Sequence, residues 1–393
     1  MPIQTTNIDV PNGNCLNYTA DTQTWVIAED VVLSSGIVDA VWSGFWRSRL
    51  VNLGTLVGGS SGNGVLMFGT EATVVNAAGA EIFGGTAGVT VTGANSIIDN
   101  QGGIHSSWRG VNLNGENSRM FNGGTVYGYS IGVEMGADTG KNVLVNDGEI
   151  GGANYGVSLD FSGTKAIVNR GFISGEPAIN ANPSSGAVVL TNTGEIQGEV
   201  QLSESADVVR NQGLIDGDIV LRGGDDLYDG RTGAMDGFQV WGGLGGDTLR
   251  GGAGEERLYG EDGADLIQGR GGDDYLNGGV GADLLSGGAG GDLFAYERAI
   301  ESDAANGFDH ITDFKAAEGD RISFDAIDAK PKKEGVQDFV FIGTAAFTNA
   351  GQLRYVDTPD GVRVEAELTG DNVADLVIHL DGVHAMSVGD FIL

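Results

Sequence analysis

Two internal repeats of different length divide this 393-residue sequence and constrain its fold more than any other feature. Between Val51 and Gly217 one phrase recurs: apolar residues, an Asn, a short Gly-containing turn, an apolar anchor and a Gly, as in Val145-Asn146-Asp147-Gly148-Glu149-Ile150-Gly151. The anchors are Leu56, Ile82, Ile104, Val126, Ile150, Ile173, Ile196 and Ile215, spaced by 19 to 26 residues. Past Gly217 the period drops to nine, with segments opening at Gly242, Gly251, Gly260, Gly269, Gly278 and Gly287. Their sixth position holds Asp247, Glu256, Asp265, Asp274, Asp283 and Asp292; their eighth holds Leu249, Leu258, Ile267, Leu276, Leu285 and Phe294. Self-similarity at a fixed period signals stacked units, none of which buries its inward side chains alone.

In the long repeat a Gly followed by an apolar residue recurs inside most units (Gly64-Val65, Gly88-Val89, Gly110-Val111, Gly132-Val133, Gly156-Val157). Each unit therefore carries about three short strands, and no segment shows sustained helical periodicity. The expectation is an all-β chain whose residues 51–220 form a right-handed parallel β-helix of about eight coils. Asn52, Asn76, Asn100, Asn122, Asn146, Asn169, Asn192 and Asn211 recur at one place in the coil and are expected to stack as a hydrogen-bonded amide ladder. Residues 1–50, with Trp25, Trp42, Phe45 and Trp46, are expected to form an N-terminal cap or assembly segment, since an uncovered strand edge invites addition of another chain.

In the short repeat, glycine permits the left-handed turns that aim successive carbonyls at one point, and the acid at position six adds a hard, charged oxygen. Such a set suits Ca²⁺, which takes six to eight oxygens in a tolerant geometry, better than the tight octahedron of Mg²⁺. The candidate metal ligands are the carboxylates of Asp226, Asp247, Glu256, Asp265, Asp274, Asp283 and Asp292. With them go the turn residues Gly242, Leu244, Gly245, Gly251, Ala253, Gly254, Gly260, Asp262, Gly269, Gly271, Gly278, Val280, Gly287 and Ala289. The formal charge of −33 agrees, because such a chain attracts cations and repels nucleic-acid phosphates and anionic membranes. One cysteine, Cys15, excludes a disulfide framework and a Cys-rich zinc site. No apolar run approaches the length of a membrane span.

The six consecutive nonapeptides resemble those of the repeats-in-toxin (RTX) proteins. That resemblance implies a parallel β-roll over 221–295 in which two nonapeptides make one turn and ions lie between loops on the same side. One side would carry Asp226, Asp247, Asp265 and Asp283, the other Glu256, Asp274 and Asp292, with Asp236 as a doubtful further member. About five or six calcium ions are expected, with Glu256 weakening the sites it shares. The segments from Asp309 to Phe314 and from Gly319 to Phe324 resemble the region C-terminal to the RTX repeats of secreted proteases, so 296–393 reads as a C-terminal cap. Gly389-Asp390-Phe391-Ile392-Leu393 resembles the uncleaved signal of type I exporters, and no N-terminal signal peptide is evident. The implied life history is export in an unfolded state, then calcium-driven folding outside the cell or at its surface.

A catalytic constellation is hard to find. There is no His-Glu-x-x-His zinc motif and no Gly-x-Ser-x-Gly elbow. Aligning coils by their anchors places Val57, Phe83, His105 and Tyr127 in one outward column, with Arg109 nearby, but no acidic column is evident beside them. The expectation is a non-enzymatic, secreted, calcium-binding structural protein: a self-assembling surface-layer, filament, matrix or adhesin subunit. Its expected partners are further copies of itself and cell-surface polysaccharide, with no nucleic acid and no membrane insertion. The alternative is a polysaccharide lyase or epimerase acting on uronate polymers. Asp371 and Asp375 are read as an acidic turn, with a further cation as the alternative.

Overall fold

The computed structural model describes residues 2–235 and 239–393 and divides into two compact units, Met1–Asp218 and Ile219–Leu393. The first unit is a parallel β-helix with three strands per coil, as in Thr73–Asn76, Glu81–Gly84 and Ala87–Val91. Like stacks on like in every sheet. Val74 pairs with Leu50 and Ile98, Ile82 with Leu56 and Ile104, and Val89 with Val65 and Val111. All nine side chains are completely buried. At about 1.5–3 kcal/mol for each fully buried Val, Leu or Ile, a coil that contributes several such residues has a driving force of its own once it is stacked.

The glycine before the third-strand valine has a steric cause. A Cβ on Gly88 would lie 2.4 Å from the Ile104 side chain and 2.7 Å from the Gly110 carbonyl oxygen, so the anchor of the next coil already fills that space. The amide ladder is continuous. Nδ2 of Asn52, Asn76, Asn100, Asn122, Asn146, Asn169 and Asn192 each donates to Oδ1 of the Asn one coil on, at 2.7–2.9 Å. The same nitrogen also reaches a turn carbonyl, as from Asn146 to Gly148 O at 3.2 Å. Buried neutral polar groups thus satisfy one another along the stack.

The N-terminal expectation is corrected. Rather than a separate cap, residues 3–43 form two further coils, with strands Ile3–Gln4, Ile8–Val10 and Leu16–Asn17, then Thr24–Ile27, Val32–Ser35 and Val41–Ser43. They stack in register on the coil beginning near Arg49: Ile27 sits on Asn52, Leu33 on Leu56 and Val41 on Val65. The repeat was hidden because Ile27 occupies the ladder position. The apolar alternation persists there while the Asn-Gly phrase is gone.

The second unit has two strands per turn. Leu249, Ile267 and Leu285 stack on one sheet, and Leu258, Leu276 and Phe294 on the other, each 18 residues from the next. Stacking does not stop at the expected boundary of 295. Asp309–Ile311 lies parallel on Leu284 and Leu285, and Arg321–Ser323 on Leu293 to Ala295, so a further turn succeeds the last nonapeptide. Beyond it, Gln352–Thr358, Gly361–Glu367 and Leu376–Asp381 form an antiparallel sheet whose last strand lies on Asp309–Ile311. Phe391–Ile392 pairs with Ile322 and Ser323, and the Phe391 ring packs against Phe324 and Phe341. Among the described residues no helix is long and apolar enough to cross a membrane.

Candidate metal centre

Each nonapeptide turns at its glycines and delivers its sixth residue to the inside of the turn. The resulting carboxylates form two columns linked through the backbone. In the first, the N–H groups of Asp226, Asp247, Asp265 and Asp283 donate to Oδ1 of Asp247, Asp265, Asp283 and Asp309 respectively, at 2.7–3.0 Å. In the second, the N–H groups of Glu256, Asp274 and Asp292 donate to Oδ1 of Asp274, Asp292 and Asp320, at 2.8–3.0 Å. Every one of these acids is buried.

One oxygen of Asp247, Asp265, Asp274, Asp283, Asp292 and Asp309 is therefore committed to the ladder and the other is left over; Asp320 is the exception, its Oδ2 accepting the Lys315 N–H at 2.8 Å. Oδ2 of Asp247, Asp265, Asp274, Asp283, Asp292 and Asp309, and Oε2 of Glu256, are buried with no hydrogen-bond partner. These oxygens face glycine. A Cβ on Gly260 would lie 2.2 Å from Asp265 Oδ2 and 2.3 Å from the Gly278 carbonyl oxygen, and one on Gly269 would lie 2.2 Å from Asp274 Oδ2 and 2.7 Å from Gly287 O. Each gap is thus a cradle of carboxylate and carbonyl oxygens that any side chain would close.

The electrostatics show what the cradles lack. Burial pushes the carboxyls of Asp247 and Asp292 up to about 6, those of Asp265 and Asp283 to about 8 and about 7, and that of Asp309 to about 9. Glu256, Asp274 and Asp320 shift the same way for the same reason. After burial, the charged neighbours that raise Asp265 and Asp309 are other acids. Stacked buried carboxylates with unpartnered oxygens need positive charge. Among the described residues no three His, Cys, Asp or Glu side chains form a group that could hold a metal, so turn carbonyls would supply the donors beyond the adjacent acids. A set made only of hard oxygens fits calcium.

The structure brings together the two groups of acids expected on opposite sides of the roll, and it adds Asp309 and Asp320, which sequence reasoning missed. Their signal was present. Asp309-His310-Ile311 and Asp320-Arg321-Ile322 repeat the acid and apolar residue two apart, without the glycines that mark the nonapeptide. The first column ends there for a chemical reason: the next strand places Ile378 on Asp309. Asp236 lies outside the described residues. The position-three carbonyls of Leu244, Asp262, Val280 and Ala289 each accept an N–H from the preceding turn at 2.8–2.9 Å, which leaves one lone pair on each. The carbonyl of Gly251 is taken by Arg270 Nη1 at 2.9 Å, and the same nitrogen lies 3.2 Å from Asp229 Oδ1. Asp371 and Asp375 form a turn of their own, accepting N–H groups of Val373 and of Leu368 and Thr369.

The outward column of the β-helix also assembles. Phe83, His105 and Tyr127 occupy successive coils in register, and the first two rings stack at 5.2 Å. An acid does sit beside them, contrary to expectation: Glu81 Oε2 lies 3.1 Å from His105 Nε2. It was overlooked because it comes from the neighbouring coil, not from a column of acids. Arg109 is engaged elsewhere, paired with Glu134 and lying 3.9 Å over the Trp108 ring.

Turns of paired nonapeptides with carboxylates between them define a calcium-binding β-roll of the RTX type. The chain belongs to the Peptidase M10 serralysin C-terminal family, whose model matches residues 190–393, just over half of it. No curated protein matches the chain. Among solved structures, the AlgE6R3 subunit from the Azotobacter vinelandii mannuronan C5-epimerase is 28% identical over 38% of this chain and 78% of that one, with a TM-score of 0.29. The AlgE6R2 subunit of the same enzyme is 29% identical over 38% and 88%, also with a TM-score of 0.29. The expectation of a non-enzymatic protein is withdrawn on this finding, because similar modules are subunits of an enzyme.

Proposed function

We propose that this protein is a secreted, self-assembling subunit of a cell surface, filament or matrix whose C-terminal unit is held folded by extracellular calcium. The observation that carries the reading is the set of buried carboxylate oxygens without partners. Asp226, Asp247, Asp265, Asp283 and Asp309 would hold ions in four successive gaps, and Glu256, Asp274, Asp292 and Asp320 in three, which raises the expected five or six. Bound calcium supplies the charge that these acids lack. The chain supplies the turns that hold the oxygens in place, and because no such site exists in the unfolded chain, binding energy becomes folding energy.

Assembly is supported by the β-helix. Ile3–Gln4, Ile8–Val10 and Leu16–Asn17 stack on the second coil, and large apolar side chains such as Trp46, Phe68 and Trp108 stand exposed on the β-helix, a surface suited to another copy. Type I export is supported by the serralysin-type unit, a kind of domain typical of exported proteins. Electron microscopy of the purified chain with calcium and with chelator tests the reading. Ordered polymers that appear only with calcium support it, and dispersed monomers at every calcium concentration overturn it. A glycan-modifying enzyme is the second reading, favoured by the Glu81–His105 pair on an open surface. Its test is turnover of a panel of uronate and neutral polysaccharides that disappears in His105→Ala.

A further inference from the structure

We infer that the outer face of the β-helix around Phe83, His105 and Tyr127 is a binding groove for a neutral glycan strand. The groove has a volume of about 480 Å³ and spans several coils. One side is a ladder of rings, Phe83, His105 and Tyr127. Phe83, Tyr127 and Tyr129 are 40%, 44% and 69% exposed. The other side is small apart from Tyr129, which follows Gly85 and Ser107 at the same place in the coil: glycines, including Gly59 and Gly85, and the hydroxyls of Ser60, Ser106 and Ser107.

Exposed aromatic rings in register are a costly surface unless something covers them. Here the cover must be amphipathic at each step, apolar where it meets a ring and polar where it meets serine hydroxyls and the peptide backbone. A pyranose ring has that character, with C–H groups on its faces and hydroxyls around its rim. Spacing agrees with it too. Stacked strands repeat at about 4.8 Å, close to the length of one sugar unit in an extended glycan, so successive rings can meet successive sugars.

Charge selects among glycans. Glu81 adjoins the groove through His105, and the residues that line it include no Lys or Arg. That balance disfavours a polyanion and tolerates an uncharged strand. Glu81 Oε2 lies 3.1 Å from Nε2 of the His105 ring, whose face stacks on Phe83.

The test is titration calorimetry of the full, calcium-loaded chain with cellohexaose, mannohexaose and laminarihexaose, and with oligoguluronate and oligomannuronate of equal length. At least one neutral hexasaccharide should bind, and the double variant Phe83→Ala/Tyr127→Ala should weaken it by about tenfold or more. Both side chains point outward, so circular dichroism and the melting temperature of the variant should match the parent. The milder Phe83→Leu/Tyr127→Leu variant keeps the test valid should the alanines disturb the coil. Absence of binding by all three neutral sugars, binding unchanged in the leucine variant, or binding confined to the uronates overturns the assignment. None of these outcomes bears on calcium folding of the other unit, which is read separately.

Discussion

The two units solve the same problem with different chemistry. Both stack parallel strands at the same spacing, and both bury a ladder of polar side chains. In Met1–Asp218 the ladder is made of asparagine, whose amide is donor and acceptor at once, so Asn122, Asn146 and Asn169 complete one another. In Ile219–Leu393 the ladder is made of carboxylates, which only accept, so Asp265 and Asp283 each find one backbone N–H and leave an oxygen bare. A neutral ladder is self-sufficient, whereas a charged one depends on what the solvent supplies. The apolar side of the balance points the same way. A coil near Ile82 buries Val74, Ile82, Val89 and Val91, while a turn of the roll buries little beyond a pair such as Leu258 and Ile267.

The largest expected effect separates the units. With excess chelator, the full chain should lose the strand signal and protease resistance of the roll and keep those of the β-helix. Each site saturated at a hundred times its dissociation constant contributes about 2.7 kcal/mol, so several sites exceed the whole stability of an ordinary domain. Equal shifts of both units on calcium removal would erase the contrast between them.

Substitution within the charged ladder comes next. Asp265 serves two gaps, so Asp265→Asn should raise the calcium concentration needed for half-folding by roughly tenfold or more, equivalent to about 1.4 kcal/mol per decade. Asp309→Asn and Asp320→Asn should each remove one bound ion from the calcium stoichiometry measured by calorimetry. An unchanged count would show that the columns end with the nonapeptides.

The matching change in the neutral ladder is Asn146→Leu, which takes one acceptor from Asn122 Nδ2 and the ladder donor from the buried Oδ1 of Asn169. It should cost the β-helix about 1–3 kcal/mol in thermal unfolding, equally with and without calcium. The smallest effect concerns Lys165, completely buried in the β-helix with Nζ donating to the Phe161 carbonyl. Burial pushes its ammonium down to about 8. The unfolded chain therefore holds this proton more tightly than the folded one. The resulting penalty is full below pH 8 and fades as the pH rises towards the ordinary lysine value. Lys165→Met should stabilise the unit by roughly 1 kcal/mol at pH 7 and by less at pH 10.

Much of this was legible because repetition removes ambiguity. A residue that recurs at one phase of a stack meets its own copy, so the asparagine ladder could be read from spacing, and the two files of acids followed from the resemblance of the nonapeptides to RTX repeats. Reading failed where the phrase changed while the geometry did not. Ile27 replaces asparagine in an early coil, and Asp309 and Asp320 keep the acid but lose the glycines. Glu81 was overlooked for a different reason. It meets His105 across coils, to one side of the aligned column.

Local chemistry written along the chain was enough to dictate period, strand content, inward and outward faces, and the kind of ion the turns select. Those depend on side-chain alternation, on the permissiveness of glycine and on the hardness of carboxylate oxygen, all properties of single residues or near neighbours. Where the stacks begin and end, which carboxylate oxygens stay bare, and which rings line the outer groove were settled only by folding. Each depends on a partner about 18 or more residues away, and an offset of that length becomes a contact only when the coils close on one another.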